Sequence, residues 1–250
     1  MSALQQMKRG GRKIVGVVAW DVHIAQIADR AGAEIVSVGD SVGTNLWGQP
    51  SPLDITMDEM LIVCKAVRRG VARALVSCDV PYGPLQAGTA AALQAARRLV
   101  DDGGADMVKL DSAATFPEAV RAIVRDGIVV FAQMECAPGA EPASDVIERL
   151  VADAKRLEEA GAQLIDFRYS GPIAGAAVAG AVGIPVVGGL GGGPWLDGRL
   201  RMAHAAIGYA ATNLDSPADA YANVAQIAFD AISAYADDVR ASRQIRGAKR

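Results

Sequence analysis

Asp40 and Asp79 are the residues whose type and placement first suggest chemistry. Each closes a short apolar run: Glu34–Val38 with Gly39 before the first, Ala74–Cys78 before the second. If those runs are neighbouring strands, the two carboxylates converge on one cation. Mg²⁺ takes few protein carboxylates, keeps several waters and leaves room for a bidentate ligand. A 2-oxo acid offers a ketone oxygen and a carboxylate oxygen for such chelation, and the metal then polarises the ketone and stabilises an enolate. A lone Asp in either place also reads as a cap on the segment that follows. Lys109 lies near the end of another apolar run, Met107–Leu110. A buried lysine is costly unless paired, so it grips the substrate carboxylate, steadies the enolate or pairs with a nearby acid. Schiff-base aldolases use such a lysine too, but that role leaves the two aspartates without a purpose.

Elements that could carry these residues alternate along the chain. Short apolar runs at Ile14–Ala19, Glu34–Val38, Ala74–Cys78, Met107–Leu110, Ile128–Gln133, Gln163–Phe167, Pro185–Gly188 and Ala206–Tyr209 read as strands. Helical patterns follow at Ile24–Ala31, Met57–Arg69, Thr89–Asp102, Pro117–Asp126, Ala143–Ala160, Ile173–Ala181, Leu196–His204 and Pro217–Arg240. Helix-to-strand joints repeat a glycine, at Gly32, Gly70, Gly103-Gly104, Gly127, Gly161 and Gly183, as helix C-termini that turn left-handed require. The pattern predicts an α/β fold, a (β/α)8 TIM barrel in a single domain over residues 1–250. An open doubly wound sheet is the rival, but no glycine-rich dinucleotide turn follows the first strand. In a barrel the C-terminal strand ends build the site. Those ends carry Asp21, Asp40 with Ser41, Asp79, Lys109 with Asp111, Gln133 to Cys136, Arg168 and the segment Gly188 to Gly193.

Composition narrows the function classes. The chain has 250 residues, 51% of them apolar, and a net charge of −3, so nothing marks a nucleic-acid surface. Basic residues at both ends, Lys8 to Lys13 and Arg240 to Arg250, read as frayed, solvated tails. Three cysteines, none in a CxxC pair, argue against a disulfide framework and for a reducing cytoplasm. No apolar run is long enough to cross a membrane. His23 reads as a surface residue of the first helix. Cys136 beside Glu135 has no histidine placed to activate it as a nucleophile.

The order of motifs resembles the ketopantoate hydroxymethyltransferase family, within the phosphoenolpyruvate mutase and isocitrate lyase group of barrels. The resemblance runs from Lys13 to Leu214. It is carried by Val38-Gly39-Asp40-Ser41-Val42-Gly43, Leu53-Asp54-Ile55-Thr56, Asp79-Val80-Pro81-Tyr82-Gly83, Val108-Lys109-Leu110-Asp111, Ile184-Pro185-Val186-Val187-Gly188, Asp197-Gly198 and His204. The resemblance implies transfer of a one-carbon unit from 5,10-methylenetetrahydrofolate onto C3 of a Mg²⁺-bound 2-oxo acid, 3-methyl-2-oxobutanoate, in a homo-oligomeric enzyme. It implies Asp40 and Asp79 as metal ligands, Ser41 and Lys109 as substrate-binding residues, and Asp111 where the family has Glu.

Two departures bear on the reaction. Gln133 stands where the family has a histidine at the end of its fifth strand. Arg168 stands where the sixth strand should supply the glutamate base for C3, and a guanidinium keeps its proton. Glu135 is then the expected base, with Asp166 second. The expected activity is Mg²⁺-dependent one-carbon addition to a 2-oxo acid through a metal-bound enolate. The alternative is a C–C bond lyase or aldolase of the same barrel group, with Arg168 holding a second carboxylate as Arg forks do. A non-catalytic barrel is disfavoured, because a scaffold needs no charged mouth.

Overall fold

The computed structural model describes residues 1–139, 142–216 and 219–247. The chain falls into two compact units, Met1–Arg201 and Met202–Arg250. Eight parallel strands close into a barrel in sequence order: β1 Ile14–Val18, β2 Ile35–Val38, β3 Leu75–Asp79, β4 Met107–Leu110, β5 Val130–Glu135, β6 Leu164–Arg168, β7 Val186–Gly188 and β8 Gly198–Met202. The fold is therefore a (β/α)8 TIM barrel. Its helices are α1 Ser2–Arg9, α2 Val22–Arg30, α3 Val42–Leu46, α4 Met57–Gly70, α5 Tyr82–Gln86, α6 Thr89–Arg97, α7 Pro117–Arg125, α8 Ser144–Glu159 and α9 Pro172–Ala181, with α10 Ala203–Ile207 and α11 Val224–Arg240 in the second unit.

Burial on both faces explains the strand composition. All four residues of β2 and of β4 are buried, because one face meets the barrel interior and the other the helix ring. Phe131 and Phe167 are the bulkiest fully buried side chains. Local signals start the helices: Asp21 accepts from the N–H groups of His23 and Ile24 to cap α2, and Thr56 with Glu59 forms a capping box on α4. Asp21 is thus a cap, and His23 is exposed on α2 as expected. Of the glycine joints, Gly32, Gly104, Gly127 and Gly161 have positive φ. Gly70 is needed for a different reason: a Cβ there would lie 2.5 Å from the Val22 carbonyl oxygen and 2.8 Å from the Ala25 methyl, where α2 and α4 cross.

Three sequence expectations need correction. The eighth strand is Gly198–Met202, not Ala206–Tyr209, and it occupies the stretch expected as a helix over Leu196–His204. Gly198 and Leu200 are buried while Arg199 and Arg201 are exposed, a period of two that two arginines disguised as a helix surface. The segment expected as that strand instead lies partly in α10, whose C-cap is Gly208 with φ 64°. The N-terminal basic stretch is not frayed. Leu4 and Met7 are buried, Lys8 Nζ donates to the Ala179 carbonyl (2.7 Å) and to Asp197 (2.9 Å), and Lys13 Nζ donates to the Pro194 carbonyl (2.9 Å). The helix expected from Pro217 begins at Val224; Pro217 and Ala218, and residues 248–250 of the basic C-terminal stretch, lie outside the described residues.

Candidate active site

The C-terminal ends of β2 to β6 gather the expected residues. Register pairs Asp79 with Lys109 across β3 and β4, Gln133 with Asp166 and Glu135 with Arg168 across β5 and β6. Parallel neighbours in register share a face, so these side chains line the same interior.

Lys109 is the hub. Only 3% exposed, it lies 3.1 Å from both carboxylate oxygens of Asp79, 3.5 Å from Asp111 and 3.8 Å from Asp166. Burial works against its charge, but Asp79 and then Asp111 outweigh burial, and its pKa lies above the usual lysine value. A lysine held this firmly as an ammonium is a poor Schiff-base nucleophile, which needs the neutral amine. The geometry is that of the ion-paired reading of Lys109.

Asp40 and Asp79 are adjacent: the Asp40 backbone N–H donates to Asp79 Oδ2 at 3.3 Å. Burial is the largest influence on Asp79. Lys109 opposes it, Asp40 adds repulsion, and the carboxyl is pushed up to about 7. Asp40 is also raised, by burial first and then by Asp111. Asp111 moves the other way: burial is outweighed by Lys109 and Arg168, and its pKa is lowered. Arg168 faces Asp111 with both terminal nitrogens, at 3.5 and 3.4 Å, and Asp166 with Nε at 3.5 Å. Burial opposes the guanidinium charge, and Asp111 with Asp166 holds it firmly.

Four aspartates, Asp40, Asp79, Asp111 and Asp166, thus face two cations. That deficit of positive charge, in a set of hard oxygen donors without His or Cys, suits Mg²⁺. Among the described residues no cluster of three or more His, Cys, Asp or Glu side chains is arranged to hold a metal. Two carboxylates with waters and a chelating substrate match the habit of Mg²⁺, which rarely uses an all-protein cage. Ser41 precedes α3 without a capping bond from its side chain, and its hydroxyl lies beside Gly39, where an added Cβ would meet it at 2.9 Å.

The remaining candidates separate by environment. Asp166 is 1% exposed and committed to the Gly189 N–H at 3.0 Å as well as to the two cations. Glu135 is exposed at the end of β5 and accepts from Gln133 Nε2 at 3.2 Å. The glycine segment after β7 is tied back to β6, since Tyr169 donates its N–H to the Leu190 carbonyl at 2.6 Å. The Gly189 N–H in this segment is taken by Asp166. Sequence reasoning missed these ties of Asp166 and the Gln133–Glu135 pair, although residues two apart on one strand share a face.

Comparison with known proteins decides the family. A family model described as ketopantoate hydroxymethyltransferase matches residues 1–244. The chain belongs to the ketopantoate hydroxymethyltransferase family. A relative from Salinibacter ruber named 3-methyl-2-oxobutanoate hydroxymethyltransferase is 34% identical, covering 95% of this chain and 93% of its own. One of the same name from Geobacillus kaustophilus is 32% identical over 94% and 87%. Among solved structures, 2,3-dimethylmalate lyase, described as a PEP mutase/isocitrate lyase superfamily member, aligns with a TM-score of 0.63 at 15% identity, over 96% of this chain and 87% of that one. An oxaloacetate acetylhydrolase aligns with a TM-score of 0.63 at 12% identity, over 99% and 88%. Those two share the fold. Membership of the family makes the protein an enzyme, and among the described residues no helix is long and apolar enough to cross a membrane.

Proposed function

We propose that this enzyme adds a one-carbon unit to the carbon beside the 2-oxo group of a small 2-oxo acid, with 5,10-methylenetetrahydrofolate as the donor. The observation that carries the reading is the Asp40–Asp79 pair with Lys109 between acids, at the mouth of a barrel of this family. Asp40 and Asp79 would hold Mg²⁺. When bound, that ion supplies Lewis-acid polarisation of the ketone and compensates charge as it develops on oxygen.

The chain's own residues do the rest. Lys109, a permanent cation beside Asp79 and Asp111, holds the substrate carboxylate or the developing enolate oxygen. Ser41, whose hydroxyl is not spent on capping, and Asp111 orient the bound acid. Glu135 takes the C3 proton: the C–H bond breaks, the proton passes to the carboxylate, and the electron pair moves toward the ketone oxygen. Arg168 cannot be this base. It tethers Asp111 and Asp166 instead. Exposure of Glu135 supports its choice over Asp166, which is already committed to a backbone N–H and two cations. The test is exchange of the C3 hydrogen of 3-methyl-2-oxobutanoate with deuterated solvent in the presence of Mg²⁺. The reading predicts exchange in the unmodified enzyme and its loss in Glu135→Gln.

One observation favours a second reading, a C–C lyase acting on a 2-oxo acid with a second carboxylate. Arg168 is ringed by polar side chains, and its contacts of 3.4 to 3.5 Å are longer than the roughly 2.7–2.9 Å of a tight charge-assisted bond. Its guanidinium retains capacity for another anion. Turnover of a dicarboxylic 2-oxo acid that is lost in Arg168→Gln, without exchange of 3-methyl-2-oxobutanoate, selects this reading. For the setting, the three cysteines Cys64, Cys78 and Cys136 are buried thiols, which supports a reducing cytoplasm. Exposed Phe229, Ile232, Tyr235 and Val239 on α11 support a homo-oligomer.

A further inference from the structure

Gln133 is 1% exposed, and its amide orientation is fixed from one side. Ser112, immediately after Asp111, takes a left-handed φ of 49°, a conformation that costs energy for a non-glycine residue. Its N–H reaches Gln133 Oε1 at 2.6 Å. A peptide N–H only donates, so the amide oxygen must face it and the amide nitrogen must face away. That nitrogen meets Glu135 Oε2 at 3.2 Å. An amide NH₂ only donates, so Glu135 receives this hydrogen bond at its carboxylate oxygen.

We propose that Gln133 is a positioning residue for proton transfer: the Ser112 N–H locks its amide, and Nε2 then holds Glu135 as an oriented hydrogen-bond acceptor. The inference rests on the reading of Glu135 as the base. It adds a reason why an exposed glutamate serves. A solvated side chain with free torsions samples many orientations, and a fixed donor on a buried neighbour selects one. It also ties the turn after Asp111 to the end of β5, so the acid that faces Lys109 and Arg168 and the base are set by one buried amide.

The competing account is that Gln133 only anchors the strained turn at Ser112. Gln133→Glu, read at a pH high enough that the new carboxyl pair has lost its shared proton, separates the two, because it then keeps an acceptor for Ser112 and removes the donor to Glu135. The measurement is the rate of C3 hydrogen exchange against 2-oxo acid concentration, with melting temperature in parallel. The expected result is a fall in kcat for exchange of about tenfold or more, with KM changed less than about twofold, since orientation acts in the transition state. Exchange by folded Gln133→Glu at the unmodified rate overturns the proposal. If a buried carboxylate prevents folding, Gln133→Met removes both bonds: a fall in kcat of about tenfold at a nearly unchanged melting temperature supports the link, and a lowered melting temperature with kcat retained in the folded protein overturns it. Unmodified exchange in Glu135→Gln alone shows instead that the base was misassigned, a failure of the functional reading rather than of the Gln133 link within it.

Discussion

Asp29 and Asp79 are both buried, 5% and 2% exposed, yet their surroundings drive them in opposite directions. Asp29 lies near the C-terminal end of α2, on the side where strands begin. Its carboxylate accepts the N–H groups of Ala74 (2.8 Å), Arg73 (3.0 Å) and Ala72 (3.3 Å) just before β3. The Ala74 bond is the largest influence, burial opposes it, and the pKa is lowered. Asp79 closes the same strand at its other end. It meets one backbone N–H at 3.3 Å, a lysine shared with other acids, and a second carboxylate, and burial prevails. The entry end of the barrel stabilises its buried charge with fixed dipoles. The mouth leaves charge under-compensated, in a state that a cation or an anionic ligand's partner group can relieve. In this fold the two ends divide stability and chemistry in that way.

The sharpest way to break this contrast is Lys109→Met. It removes the cation that lies within 3.8 Å of Asp79, Asp111 and Asp166 alike, and uncompensated buried charge costs roughly 3–5 kcal/mol. Both the melting temperature and turnover should fall. An active, undiminished Lys109→Met would mean that the mouth charges are not held through this residue.

Asp29→Asn should be purely structural. Loss of charge-assisted bonds to buried N–H groups predicts about 2 kcal/mol of destabilisation, with kcat unchanged in the folded enzyme. Its pH dependence follows from the sign of the shift. A folded-state pKa below the unfolded value, about 3.9, gives stability that is present above that value. The contribution is lost as pH falls through the folded-state pKa. Chemical denaturation should therefore show the unmodified chain more stable than Asp29→Asn at neutral pH, with the gap closing in acid. A gap that stays constant down to strong acid would remove Asp29 from the account.

The smallest effect concerns neither end. Light scattering at micromolar concentration should show a homo-oligomer, and Ile232→Asp on α11 should weaken it while leaving the unfolding transition of the barrel nearly in place. A monomeric unmodified chain would contradict this.

Much of this contrast was legible in the sequence. Seven strands, the glycine joints and the mouth residues Asp40, Asp79, Lys109, Asp111 and Arg168 follow from periodicity and strand ends. The eighth strand was hidden because Arg199 and Arg201 break its apolar run, so that only its buried Gly198 and Leu200 mark it. α1 was hidden because its basic residues look solvated, whereas Lys8 is spent on Asp197 far along the chain. Pairings of that kind are long-range and leave no local pattern. The same holds for Asp29 and for the Ser112–Gln133–Glu135 link, which depend on a turn conformation that residue types alone do not specify.

The most direct test of the division between the two ends sets Asp79→Asn beside Asp29→Asn in one experiment. Exchange of the C3 hydrogen of 3-methyl-2-oxobutanoate is followed by NMR in deuterated water with Mg²⁺, with melting temperature recorded for each protein. The account predicts exchange in the unmodified enzyme and in folded Asp29→Asn. In Asp79→Asn it predicts exchange lower by on the order of a hundredfold or more, with a melting temperature close to the unmodified one. Asp79→Asn that exchanges at the unmodified rate, or that loses exchange only because it unfolds, would contradict it.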